Sequence, residues 1–170
     1  MDINVRWRAF PLHPETPEEG RTLEELFAGR SYNIAEALAH MKAVADAEGL
    51  PFGTRTKTYN SRLAQELGKW AEDQGRGDAF HQAAFRAYFA DGKNIAKTKT
   101  LLNIVDAVSL DTHEAKRVIE ERLYKNHVDA DWVRSRGLGI TAVPTFLMGN
   151  GRLVGAQPYE ALKQFVGQWI

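Results

Sequence analysis

The chain has 170 residues, 22 Lys and Arg balanced by 22 Asp and Glu, and no cysteine. This length fits one domain, or one domain with a sizeable insertion, and supports a core that needs no disulfide or metal staple. Zero net charge argues against a phosphate-seeking nucleic-acid binder, and the absence of cysteine excludes disulfides, cysteine-held zinc, iron–sulfur clusters, a thiolate nucleophile and a CxxC pair.

The N-terminus, MDINVRWRAF, lacks an apolar signal core, and no run of about 18 apolar residues follows anywhere in the chain. The expectation is a cytoplasmic protein that meets neither membrane nor nucleic acid. Over residues 3–10, Ile3, Val5 and Trp7 alternate with Asn4, Arg6 and Arg8, a period of two that predicts a strand. Pro11, Pro14, Pro17 and Gly20 then make a loop. A helical middle follows. Ile34, Leu38, Met41 and Ala45 repeat at helical spacing up to Gly49 and Pro51, and residues 52–60 read as irregular or extended. Leu63, Leu67 and Trp70 mark a second helix ending near Gly75 and Gly77. Phe80, Phe85, Tyr88 and Phe89 mark a third, with helix packing favoured over a groove wall or dimer contact. Leu101, Leu102, Val105 and Val108 mark a fourth. Asp111-Thr-His-Glu114 has the form of a capping box before Val118, Ile119 and Leu123, and a short helix covers residues 128–136. Residues 145–148 are strand-like, Asn150-Gly151 signals a hairpin, residues 152–156 return, and Pro158 opens a last helix bearing Leu162, Phe165 and Trp169.

Chemical motifs are scarce. The five histidines (His13, His40, His81, His113 and His127) show no metal-ligand spacing. Adjacent acidic pairs such as Glu120-Glu121 diverge by about 100° on a helix and cannot converge on a substrate. Lys93, Lys97 and Lys99 lack the interleaved aromatics of a nucleic-acid platform. One motif is sharper. In Thr141-Ala-Val-Pro-Thr145, a proline stands directly before an apolar strand. It is either a plain strand-initiating proline or a cis-proline turn, and spacing alone weighs the two equally.

Gly139-Ile-Thr-Ala-Val-Pro-Thr-Phe146, followed by Val154-Gly-Ala-Gln-Pro158, resembles the C-terminal half of the DsbA-like thioredoxin superfamily, the FrnE-like branch in particular. Val5-Arg-Trp-Arg-Ala-Phe-Pro-Leu-His-Pro14, Asn60-Ser-Arg-Leu-Ala64 and Ala84-Phe-Arg-Ala-Tyr-Phe-Ala90 resemble further segments of that branch in the same order. The resemblance implies an α/β, thioredoxin-like fold with a large all-helical insertion: residues 1–20 and 126–170 in the thioredoxin-like domain, residues 21–125 in the insertion. It also implies that the family's first strand, CxxC turn and first helix do not lie among these residues. Its members include disulfide oxidoreductases, kappa-class glutathione transferases and 2-hydroxychromene-2-carboxylate isomerases. The resemblance makes Val143-Pro144 a cis-proline loop that pairs with an extended peptide or glutathione, with Asn60 as a further binding residue. It supplies no catalytic residue, no metal and no cofactor other than glutathione as a ligand. Three readings follow: an oxidoreductase relative unable to exchange thiols and disulfides, a glutathione-dependent isomerase or transferase, and a non-catalytic binding or structural remnant. A homodimer that completes or covers the sheet is expected.

Overall fold

The computed structural model describes residues 3–29, 31 and 33–170. They form two compact units, one of His13–Val128 and one of Met1–Leu12 with Asp129–Ile170. Among the described residues no helix is long and apolar enough to cross a membrane.

The larger unit begins with a two-residue strand absent from the sequence reading, β1 (Arg21–Thr22), paired antiparallel with β2 (Lys57–Thr58), which falls in the segment read as irregular or extended, Arg21 lying opposite Thr58. Between them lie α1 (Leu23–Leu26) and α2 (Ile34–Ala47). The full capping box falls at α1: Thr22 accepts from the Glu25 amide and Glu25 accepts from that of Thr22. The expected helices follow as α3 (Arg62–Asp73), α4 (Gly77–Phe85), α5 (Thr98–Ala107) and α6 (Thr112–Glu120). Asp111 caps α6 by accepting from the His113 and Glu114 amides. Leu67, Trp70, Phe80, Leu101, Val105 and Val118 interlock as the core of this unit, each fully or almost fully buried. The aromatic run divides. Phe80 is core, Phe85 is exposed, and α4 widens into a π-helical turn over Arg86–Ala90. That turn places the Tyr88 hydroxyl 3.0 Å from Thr58 Oγ1 and 3.1 Å from a guanidinium nitrogen of Arg55.

A carboxylate sits inside this helical core. Glu66, 1% exposed, accepts from Arg62 Nε at 2.6 Å and from Arg122 at 2.9 and 2.6 Å. Arg62 also donates to the Lys125 carbonyl at 2.9 Å, and Arg122 occupies a left-handed backbone conformation at φ 53°. Burial by itself raises the Glu66 carboxyl, but the hydrogen bonds from Arg122 and Arg62 outweigh it and hold the group below its ordinary value of 4.5. A depressed folded value means that the contribution to stability is complete above 4.5 and lost as pH falls through the folded value.

In the smaller unit α7 (Lys125–Gly137), within which the unit boundary falls, leads to an antiparallel hairpin of β3 (Thr145–Met148) and β4 (Gly151–Val154), then to α8 (Tyr159–Gly167). Met148 pairs with Gly151, so the two turn residues are Gly149 and Asn150, one position earlier than the Asn-Gly signal suggests. Gly149 supplies the positive φ, 55°, as a hairpin with glycine first in the turn requires. Phe165 and Trp169 cover this turn: a Cβ on Gly149 would lie 2.3 Å from the Trp169 ring. Pro158 is the N-cap of α8 rather than its first helical residue, and Trp169 lies beyond the helix end.

The strand expected over residues 3–10 is not there. Ile3, Val5 and Trp7 are 45%, 69% and 42% exposed, and no ladder includes them. Alternation encodes a strand only where a neighbouring strand answers the backbone. Here the Ala9 amide donates to a carboxylate oxygen of Asp131 instead.

Two outcomes test this account. Glu66→Ala costs about 3 kcal/mol in urea unfolding, because two arginines lose their carboxylate. The same variant shows a shallower fall in urea midpoint below pH 4.5 than wild type, because Glu66's share of it is gone while that of Asp111, also held below its ordinary value by the His113 and Glu114 amides, remains. Gly149→Ala costs about 2 kcal/mol from strain and collision with Trp169, whereas Gly167→Ala, with nothing within 4 Å of its added carbon, leaves the thermal midpoint unchanged or higher.

Candidate functional site

The loop containing Val143 is set by how α7 ends. Gly139 takes φ 62°, its amide donates to the Arg136 carbonyl at 2.9 Å, and the Ile140 amide donates to the Ser135 carbonyl at 3.0 Å. Glycine at this position reverses the chain and satisfies carbonyls that the helix leaves open. Arg152 of β4 adds a charged cap: its guanidinium donates to the carbonyls of Leu138 and, at 3.4 Å, Gly139. The helix terminus and the hairpin thereby hold both ends of residues 139–145.

Within this loop the Val143–Pro144 peptide is cis. The Pro144 carbonyl accepts from the Gly155 amide at 2.8 Å, and Thr145 Oγ1 donates to the Ala142 carbonyl at 2.7 Å. Gln157 Nε2 donates to the Val154 carbonyl at 2.8 Å and steadies the facing strand. Val143 itself is 43% exposed, and its own N–H and C=O take part in none of the hydrogen bonds of the described residues. It adjoins the outer edge of β3, which among the described residues pairs with no strand other than β4. A buried backbone group demands a partner, whereas an exposed one beside an open edge can receive one from another chain.

The other anchor of this unit is Asp131, 4% exposed on α7. One carboxylate oxygen accepts from the Ala9 amide and the other from Arg8, each at 3.0 Å. The charge is paired and its oxygens are hydrogen-bonded, as a buried carboxylate requires. Sequence reasoning missed this residue, although there was a signal. Val128, Asp131 and Ser135 recur at helical spacing and are all buried, so an acid stands on the inward face of α7.

Asn60 belongs to the larger unit. Its Nδ2 donates to the carbonyls of Pro14 at 3.2 Å and Thr16 at 2.7 Å, and its Oδ1 accepts from the Arg62 amide at 2.9 Å. Both amide hydrogens are engaged in tying residues 14–16 to the start of α3, which leaves one lone pair on Oδ1 for any ligand. Among the described residues no group of three or more His, Asp or Glu side chains is placed to hold a metal ion.

A family model for the DSBA-like thioredoxin domain matches residues 1–167. The chain belongs to this family. Its fold is the α/β, thioredoxin-like fold with a helical insertion. The crystal structure of a probable DsbA oxidoreductase from Streptomyces coelicolor is similar with a TM-score of 0.85 and 29% identity, over 95% of this chain and 73% of that one. A 2-hydroxychromene-2-carboxylate isomerase structure has a TM-score of 0.70 at 15% identity, over 79% of this chain and 66% of that one, and shares the fold. The protein YwbO of Bacillus subtilis (strain 168) is 24% identical over 174 residues, covering 97% of this chain and 82% of its own.

Arg152 is the positioning residue of this DsbA-like loop. In Arg152→Ala, hydrogen exchange of the Gly155 amide, which reports the seat of Pro144, accelerates roughly tenfold, equivalent to about 1.4 kcal/mol. Exchange in α3 and α5 is unchanged.

Proposed function

We propose that this chain is the peptide-receiving part of a DsbA-like thioredoxin-fold protein and carries out no thiol–disulfide exchange by itself. An extended peptide, or glutathione, adds along the outer edge of β3 and pairs with the N–H and C=O of Val143, a form of strand addition. The observation that carries this reading is the uncommitted, exposed backbone of Val143 beside an open edge. Exchange requires a thiolate to attack a sulfur, and the chain contains no cysteine. Asn60 contributes at most its remaining Oδ1 lone pair, and its main work is to hold residues 14–16.

Two measurements test the reading. Titration of the 15N-labelled chain with an extended apolar peptide, and separately with reduced glutathione, shifts the Val143 and β3 amides in at least one case. No shift up to millimolar ligand overturns the binding role. In dithiothreitol-driven insulin reduction the chain leaves the rate at that of dithiothreitol alone, and a reproducible acceleration overturns the non-exchanging role.

A further inference from the structure

The larger unit contains a cavity of about 260 Å³, lined by Glu18, Asn60, Arg62, Leu63, Ala96 and Arg122. All six residues belong to His13–Val128, so the cavity is independent of the peptide-receiving edge at Val143. Its walls carry charges of both signs. Arg62 and Arg122 reach it from the start of α3 and the turn after α6, and Glu18 from the loop before β1.

Opposite charges that share a cavity attract one another and tend to close the gap. Here they do not. Among the described residues Glu18 forms no ion pair with either arginine. Each side is held back by a partner of its own: Glu18 by Lys97 Nζ at 2.8 Å, and both arginines by the buried Glu66 at 2.6 Å. Further hydrogen bonds fix the same walls. The Glu18 carbonyl accepts from Asn94 Nδ2 at 2.9 Å, and Asn60 ties Thr16 to the start of α3. Arg122 holds its left-handed conformation just past the end of α6, a position where glycine is the usual residue. The backbone bears that strain and a guanidinium gains its place.

We infer that this cavity binds the zwitterionic head of a free α-amino acid. The carboxylate lies toward Arg62 and Arg122, the ammonium toward Glu18 and Asn60 Oδ1, and the side chain against Leu63 and Ala96. A simple anion would also face Glu18, and a simple cation would face two arginines. A molecule carrying both charges meets each with its opposite. The lining groups can serve a further partner. A guanidinium has more donors than one carboxylate uses, a carboxylate has more acceptor sites than one ammonium fills, and Asn60 Oδ1 keeps a lone pair. The volume lies just below the roughly 300 Å³ at which small-molecule pockets begin, which suits an amino acid and is too small for a nucleotide. Because the charges are positioned before the ligand arrives, little ordering is left to binding. The Glu18 and Arg122 side chains are 64% and 41% exposed, so water screens them and the affinity is modest.

Titration of the 15N-labelled chain with L-valine, read at the Leu63 and Ala96 amides, tests the assignment. Isovalerate and isobutylamine, which are valine without its ammonium and without its carboxylate, are titrated alongside. The expected result is saturable binding of valine with a Kd of about 1 mM, and binding roughly tenfold weaker or worse for each single-charge analogue. Glu18→Gln brings valine down to the level of isovalerate and does not weaken isovalerate. Arg122→Lys keeps a cation against Glu66 but loses the planar fork, so it weakens valine and isovalerate together, by roughly fivefold or more, and leaves isobutylamine unchanged. Helix content and thermal midpoint show that both variants remain folded, and the exposed Glu18 carries the test if Arg122→Lys does not. No shift with valine up to about 50 mM, where a millimolar site is nearly saturated, overturns the site. An analogue that binds as tightly as valine, or a Glu18→Gln chain that still prefers valine to isovalerate, overturns the dipolar assignment. Each of these failures leaves peptide binding at Val143 standing, because that binding is read at amides of the smaller unit.

Discussion

A strand is stable only when another strand answers its backbone, and this requirement governs both ends of the chain. A helix meets its hydrogen bonds within itself, so α3 to α6 need only bury one face. The hairpin of β3 and β4 meets half of its bonds within itself and turns the other half outward. Residues 3–10 meet none in a ladder and rely on Asp131 to hold the Ala9 amide. The smaller unit therefore rests on side-chain anchors, Asp131 for the N-terminal segment and Arg152 for the loop after α7, where a larger sheet would supply main-chain bonds.

The larger unit solves its problem differently. Its core is continuous across four helices, and Glu66, the one buried charged side chain among the described residues of this unit, is neutralised from both sides by Arg62 and Arg122. Breaking such a cluster is costly, while replacing it with apolar residues of similar volume is often neutral or stabilising. Its value lies in geometry. Arg62 at the start of α3 and Arg122 in the turn after α6 can meet Glu66 together only when the three elements are in register.

These differences explain what the sequence made legible. Long periodic segments such as Leu63–Leu67–Trp70 could be read because helical periodicity records a local property. The hairpin was legible from Gly149-Asn150-Gly151, although the pairing register moved the turn by one residue. Residues 3–10 misled because alternation states which faces a strand would have and says nothing about whether a neighbour exists. The cis geometry at Val143-Pro144 was suggested by family resemblance alone, since a proline before an apolar strand is ambiguous by itself, and the binding role that resemblance implies is a proposal. Asp131 and the Glu66 cluster escaped because they join residues far apart in sequence, 123 positions in the case of Arg8 and Asp131 and 56 in that of Glu66 and Arg122, and Arg152 escaped because its bonds to Leu138 and Gly139 depend on how the loop folds back. Asn60 was singled out for a ligand, and the structure shows its amide engaged with Pro14, Thr16 and Arg62.

The bond from the Gly155 amide to the Pro144 carbonyl bears on the selectivity of the proposed peptide site. With that carbonyl engaged, the proposed strand addition would be made through Val143 alone, one donor and one acceptor of the main chain. Main-chain atoms are the same in nearly every residue. A contact made through them fixes the direction and extension of its guest and is indifferent to what that guest encodes. Under the same proposal, discrimination among guests falls to the side chains flanking the edge, among them the exposed Phe146 and Leu147.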